Sequence, residues 1–265
     1  MKKLRLYKFD WDDNILLMST KLKVYRNDIT EYVSTSEFAQ IRNNPLYIIK
    51  DDAYDEFRDY GVRKENAFTD DVKKSILDKK FGPSFKKLKE CIKYGNFFAV
   101  ITARGHSPKI LQSGVKIIIE QCFSQNEKTL LKRTLKKIYG KYSFDDLVDK
   151  YLSDCRFYPV SSSEFSEEFN LPHPGYDTEN RKCLSSKHFI SYVECQLKTM
   201  KKDDIRIVNG GGRGKVTMKV GFSDDDKKYV KSMVDHLTLL KIDKPEISFK
   251  VYDTSNPKKV ETIII

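Results

Sequence analysis

The stretch from Leu4 to Leu16 constrains this chain more than any other. Leu4, Leu6 and Phe9 mark a strand of alternating hydrophobicity, and the strand then breaks abruptly into acid. Asp10 and Asp12 stand two apart, and Asp13 lies between Asp12 and Asn14. A strand that runs out into carboxylates delivers them to the rim of a sheet, where α/β proteins keep their ligand sites. Two carboxylates there can bind a divalent cation, or one can attack an electrophile while the other moves a proton. The same residues also suit a solvated acidic turn behind an edge strand, so the stretch needs support from the rest of the chain.

Pro83 opens a helical pattern carried by Phe85, Leu88, Cys91 and Ile92 and closed by Gly95. Phe97 to Ile101 is a continuous apolar run suited to a buried parallel strand, and it ends at Thr102-Ala103-Arg104-Gly105-His106. Ser107-Pro108 starts a helix through Leu111, Val115, Ile118 and Cys122. Asn126 to Asp154 reads as helical and basic, Arg156 to Val160 as a short strand, and Ser161 to Arg181 as a loop with Pro172, Pro174 and Gly175. Ser186 to Leu197 reads as an amphipathic helix. Asn209 to Gly214 reads as a flexible connector, because this glycine-rich run precedes a strand instead of opening a helix. Val216, Met218, Val220 and Phe222 alternate into a strand that ends at Ser223-Asp224-Asp225-Asp226. A helix follows with Tyr229, Val230, Met233, Val234, Leu237 and Leu240 on its apolar face. Ile247, Phe249 and Val251 then make a last strand, and the apolar tail from Val260 to Ile265 suits an extra edge strand. Ile15 to Asp70 shows no clean period and reads as an irregular insertion, polar and aromatic, with an acidic run at Asp51, Asp52, Asp55 and Glu56. Strands alternating with helices argue for an α/β protein with a doubly wound, mostly parallel sheet and helices on both faces.

At 265 residues the chain can hold one sizeable α/β domain with an insertion, or two small domains. Its hydrophobic content of 39% suits a folded core. It has no run long enough to span a bilayer, and Met1-Lys2-Lys3 leads into a strand, not a signal peptide. The five cysteines are an odd count without a C-x-x-C pair, which favours reduced thiols and a cytoplasmic location. A net charge of +11 points to phosphorylated or polyanionic partners, although lysine is spread along the whole chain and AT-rich coding also enriches it.

Four features fall at the carboxyl ends of strands or at the start of the next helix: Asp10 with Asp12, Thr102, a lysine near 182–187, and Asp224 with Asp225. With these motifs in this order, the chain resembles the haloacid dehalogenase-like (HAD) superfamily of phosphotransferases. That superfamily's first motif, a strand followed by Asp-x-Asp-x-Thr/Val, stands here as Phe9-Asp10-Trp11-Asp12-Asp13-Asn14, with Asn14 as the departure. Its second, a strand ending in Thr or Ser, stands as Val100-Ile101-Thr102. Its fourth, a strand ending in an acidic pair, stands as Val220-Gly221-Phe222-Ser223-Asp224-Asp225. Its third, a lone lysine at a helix start, falls on Lys187, with Lys182 in reserve. Singly, each has a plainer reading: Thr102 as a helix N-cap, Lys187 as a solvated lysine, and Asp224 to Asp226 as the cap of the next helix.

The resemblance implies a HAD-like core at 1–16, 81–125 and 155–265, a cap insertion at 17–80 and a basic helical insertion at 126–154. It implies that Asp10 attacks phosphorus to form an aspartyl-phosphate, and that Asp12 protonates the leaving oxygen and then activates water. Thr102 would donate to the phosphoryl group and Lys187 would neutralise charge. Mg²⁺ would be held by Asp10, the backbone carbonyl of Asp12, and Asp224 or Asp225. Phosphoryl transfer asks the protein mainly for positioning and charge stabilisation, and an all-oxygen site suits Mg²⁺. Arg104 follows Thr102 closely, would face the same rim, and is a candidate for contacting substrate phosphate. The implied activity is Mg²⁺-dependent phosphomonoester hydrolysis, with a phosphorylated small molecule as substrate. A basic cap would favour a nucleotide or a nucleic-acid end. The alternative is a non-catalytic HAD-like domain that binds nucleic acid or protein. No membrane partner is expected.

Overall fold

The first strand, β1 (Lys2–Phe9), lies inside a six-stranded sheet in a computed structural model that describes residues 2–58, 67–172, 177–199 and 216–265. It pairs in parallel with β4 (Phe98–Thr102) on one side and β6 (Val216–Asp224) on the other. Beyond β4 lies β5 (Arg156–Pro159) and beyond β6 lies β7 (Ser248–Asp253), both parallel. The expected tail strand is present as β8 (Glu261–Ile264), antiparallel on the β7 edge. In chain order the five parallel strands run 3-2-1-4-5 across the sheet, the order of a Rossmann-like, doubly wound fold. The connections after β1 and β6 leave in opposite directions, so a crevice opens between their carboxyl ends, where such sheets bind ligands.

Helices cover both faces. Leu4 and Leu6 of β1 pack with Ala99, Ile101, Val220 and Phe222 beneath α8 (Thr178–Thr199) and α9 (Lys227–Asp243). Phe9, Phe98 and Val100 face the other way, into a cluster with α2 (Ala67–Leu77), α3 (Phe85–Lys93) and α4 (Pro108–Cys122). A parallel strand covered on both sides must be apolar throughout, and all five residues of β4 are buried. On β1 the charged residues Arg5, which is exposed, and Lys8, which is buried, depart from this. Lys8 donates to Ser186 Oγ on the α8 side, and burial pushes its pKa down to about 7.

Two regions depart from the reading of the sequence. Residues 126–154, expected as a basic helical insertion, do form helices, α5 (Gln125–Tyr139) and α6 (Phe144–Asp154), and these pack into the core. Leu131, Leu135, Leu147, Val148, Tyr151 and Leu152 are buried in the same cluster as Phe98, while Lys132, Lys136 and Lys137 stay exposed. The described part of the region 15–70 is not irregular. β2 (Leu22–Arg26) and β3 (Ile29–Val33) make an antiparallel hairpin. Asn27 and Asp28, with φ of 48° and 63°, close it as a two-residue turn, a place where those side chains tolerate positive φ. α1 (Thr35–Ile41) then opens on a capping box between Ser34 and Glu37, and a 3₁₀ turn spans Asp51–Phe57. Within the expected loop at 161–181, α7 (Ser163–Glu168) forms and α8 begins at Thr178, well before Ser186. Pro174, Gly175 and the Asn209–Gly214 connector lie outside the described residues.

Asn14 ties the strand ends together. Its Nδ2 lies 3.0 Å from the Asp10 carbonyl, 3.1 Å from the Ser223 carbonyl and 2.9 Å from Ser223 Oγ, and its Oδ1 accepts from Thr254 Oγ1 at 3.0 Å. This joins the loop after β1 to the end of β6 and to the residue that follows β7. Gly82 passes so close that a Cβ there would stand 2.4 Å from the Asn14 carbonyl oxygen. An Asn14→Leu substitution would strand several buried polar groups, each at a desolvation cost. The expected outcome is a loss of about 3 kcal/mol of unfolding free energy by urea titration; a loss under about 1 kcal/mol would show that this network does not hold the rim.

Candidate active site

Asp10 is the first residue past β1, Asp224 is the last of β6, and Asp225 follows it. Carboxylate oxygens of these three residues lie within 4.8 Å of one another. Lys182, from α8, inserts between two of them, with Nζ 2.8 Å from Asp10 Oδ1 and 2.7 Å from Asp224 Oδ2. Asp10, Lys182 and Asp224 are all buried. Below them the Tyr229 ring lies 3.9 Å from Lys182 Nζ, and its hydroxyl bonds Thr178 Oγ1 at 2.9 Å. Burial pushes the carboxyls of Asp10 and Asp224 up, and Lys182 opposes that shift in both. Burial works against charge on Lys182, yet the carboxylates of Asp10 and Asp224 raise its pKa well above the ordinary value. Asp225 is likewise pushed up, by burial and then by Asp224 and Asp10. One lysine faces three carboxyls, so the group has room for more positive charge.

The loops around these acids are held from the insertion. Asp226 caps α9, accepting from Lys228 N, and is gripped at 2.8 Å by Arg42, the C-cap of α1. Thr35, at the start of α1, donates to Asp13, whose φ is 52°. Asp12 turns away from the three-acid group. Both of its oxygens are held by Arg104, at 2.8 Å from Nε and 2.6 Å from Nη2. Arg104 Nη2 also reaches Thr20 Oγ1 at 2.9 Å, and Thr20 in turn donates to Asp71 at 2.7 Å. The guanidinium lies 4.5 Å from the Phe57 ring centroid and 5.1 Å from that of Phe68, so the insertion and α2 both hold it in place.

Of the residues expected from the sequence, Asp10, Thr102, Asp224 and Asp225 come together at the rim of one cavity of about 560 Å³. Thr102 ends β4 and is buried. Two expectations are corrected. The lysine is Lys182, and Lys187 is exposed. α8 starts at Thr178, so Lys182 sits in its first turns beside the strand ends; five residues on, a helix has turned by about 140° and Lys187 faces elsewhere. Arg104, expected on substrate phosphate, is committed to Asp12. Asp12, expected to offer its backbone carbonyl to the metal, has its side chain outside the three-acid group. The basic run from Lys128 to Lys137 does not line the cavity. Residues missed in the sequence roof it instead: Phe38 of α1 and its C-cap Arg42, and Tyr54 and Phe57 of the 3₁₀ turn. The Ser34-x-x-Glu37 capping box was the one signal that could have found α1.

Compared with known proteins, the chain matches no family model, no curated protein and no solved structure. The resemblance to the HAD superfamily therefore stands on its motifs and their placement.

His106 lies just behind this site, buried against Phe68 at 5.1 Å between ring centroids, and its Nδ1 has no partner among the described residues. Burial, and then the nearby Arg104, push its pKa down from 6.5 to about 3. Between those values only the unfolded chain takes up the proton, so this residue makes stability rise with pH across that window. Acidification from 6.5 towards 3 is expected to cost up to about 1.4 kcal/mol per pH unit from His106 alone. A His106→Phe variant should lose that part of the slope in melts at stepped pH; a slope as steep as the wild type would contradict this.

Proposed function

We propose that this protein is a Mg²⁺-dependent phosphomonoester hydrolase of HAD type, with Asp10 as its nucleophile. The observation that carries the reading is the meeting of Asp10, Asp224, Asp225 and Lys182 at the carboxyl ends of adjacent parallel strands, in a cavity shared with Thr102. Stability does not account for it, because apolar residues fill such a position as well or better.

The donor set fits the implied metal. Asp10, Asp224 and Asp225 offer only hard carboxylate oxygens, close enough together to share one small cation. When bound there, Mg²⁺ would neutralise carboxylate charge and polarise a phosphoryl oxygen. The chain's own residues do the rest. Lys182 engages Oδ1 of Asp10 and leaves the other oxygen for attack. That oxygen bonds to phosphorus as the bond from phosphorus to the leaving alcohol oxygen breaks, and the leaving oxygen takes a proton from Asp12, which must give up one of its two bonds to Arg104 to carry it. Water then gives its proton to Asp12 and attacks phosphorus; the bond to Asp10 breaks, releasing inorganic phosphate and restoring the carboxylate. Thr102 donates to the phosphoryl group. Arg104 sets where Asp12 stands and so acts as a positioning residue.

Among the described residues no helix is long and apolar enough to cross a membrane, and all five cysteines are free, which supports a reducing compartment such as the cytoplasm.

The test is phosphate release from p-nitrophenyl phosphate. It should require Mg²⁺, stop with a chelator, and fall at least about 10³-fold in Asp10→Asn. Independently of activity, Mg²⁺ should raise the melting temperature, and Asp225→Asn should lose most of that rise. Turnover by Asp10→Asn at the wild-type rate would overturn the assignment. A protein that melts higher with Mg²⁺ but releases no phosphate from any ester would favour the non-catalytic reading.

A further inference from the structure

The geometry points to a phosphate monoester whose leaving group carries a planar aromatic ring, a nucleoside monophosphate unit, with that ring seated against Phe38 and Tyr54 of the insertion. The inference rests on the phosphatase reading and adds the chemistry of the leaving group.

Size comes first. A cavity of about 560 Å³ is far more than a phosphoryl group needs and lies in the range that holds a whole small molecule. Its two ends differ in character. The floor is the charged group of Asp10, Asp224, Asp225 and Lys182. The insertion supplies an aromatic corner in which Phe38 and Tyr54 meet edge to face, 5.9 Å apart at 82°. Arg58 adds its guanidinium 5.8 Å from the Tyr54 ring centroid, so the corner offers two aromatic rings and a cation, groups against which a flat aromatic ring packs.

Position links the two ends. Arg42 grips Asp226 at 2.8 Å, and Asp226 lies two residues beyond Asp224. Phe38 precedes Arg42 by one helical turn, so the two stand on the same side of the helix, about 5–6 Å apart at their Cβ atoms, and both line the cavity. Asn43 and Asp51 line the same cavity and offer the donor and acceptor groups that base edges and sugar hydroxyls use.

Charge narrows the class. Among the described residues five cations line the cavity and each is engaged: Arg42 with Asp226, Arg104 with Asp12, Lys182 with Asp10 and Asp224, Lys228 with Glu179, and Arg58 over the Tyr54 ring. A di- or triphosphate chain would need cations to spare. A single phosphate on an uncharged, flat leaving group needs none beyond the floor. The unit is free or is the last residue of a strand, and these share one chemistry.

Steady-state kinetics with Mg²⁺ on a nucleoside 5′-monophosphate, a nucleoside 3′-monophosphate, ribose 5-phosphate and a 3′-phosphorylated oligonucleotide test this. At least one nucleotide should exceed ribose 5-phosphate in kcat/KM by about ten-fold or more, the size of one base–aromatic contact. Phe38→Ala and Tyr54→Ala should each narrow that ratio about ten-fold, mainly through KM, while Tyr54→Phe should keep it. A faster oligonucleotide would place the unit at a strand end, and a faster mononucleotide would make it free; either result supports the ring seat. Ribose 5-phosphate turning over as well as every nucleotide, or Phe38→Ala slowing both alike, would overturn it. Equilibrium binding of the nucleoside monophosphates to Asp10→Asn separates the two readings. Binding weakened by Phe38→Ala, without hydrolysis in the wild type, sinks the phosphatase and keeps the seat. Hydrolysis of ribose 5-phosphate without any preference for the ring does the reverse.

Discussion

A lysine buried between two aspartates is the contact on which this architecture turns. Lys182 reaches from α8 to the ends of β1 and β6, so one ammonium group spans the crevice where the sheet changes direction. Bringing these charges out of water is expensive, and their attraction repays it only with good geometry. Removal of the lysine alone would leave two buried carboxylates facing each other with no partner between them, typically a loss of about 3–5 kcal/mol. An arrangement this costly, with a third carboxyl beside it, makes sense where charge is to be used.

The rest of the structure serves that crevice. Parallel pairing of β1 with both β4 and β6 sets Asp10, Thr102 and Asp224 along one rim. Asn14 locks the strand ends into register through hydrogen bonds that a threonine or valine could not all make, which gives the departure from the family pattern a physical role. The hairpin, α1 and the 3₁₀ turn then close over the rim and are fastened to it at Asp13 and Asp226. Through Phe57, the same insertion also presses on the arginine that holds Asp12. Roof and acid pair are thus mechanically connected.

Much of this was legible in the sequence, for reasons that can be stated. Strands buried on both faces leave apolar runs such as Phe97 to Ile101, and strands that end in a crevice leave acids directly after them, as at Asp10 and Asp224. The lysine was harder. The first turns of α8, around Thr178 to Lys182, have no apolar stripe of their own, so periodicity began the helix at Ser186 and carried the reading to Lys187. The cap hairpin was invisible because among its ten strand residues only Leu22 and Val24 are buried, too few to show alternation. At 126–154 the helices and their exposed lysines were legible, but lysines dominate the composition and hide the stripe that packs, Leu131, Leu135, Leu147 and Tyr151. Pairings between distant residues, such as Arg104 with Asp12, leave no local trace at all.

The central claim is that Asp10 takes the phosphoryl group onto its own carboxylate. It is tested most directly by quenching the protein with acid during turnover of p-nitrophenyl phosphate, reducing it with borohydride, and mapping the peptides by mass spectrometry. Reduction converts an aspartyl-phosphate to homoserine. The account predicts that conversion at Asp10 alone; conversion at Asp12, or none at Asp10 in protein shown to be turning over, would contradict it.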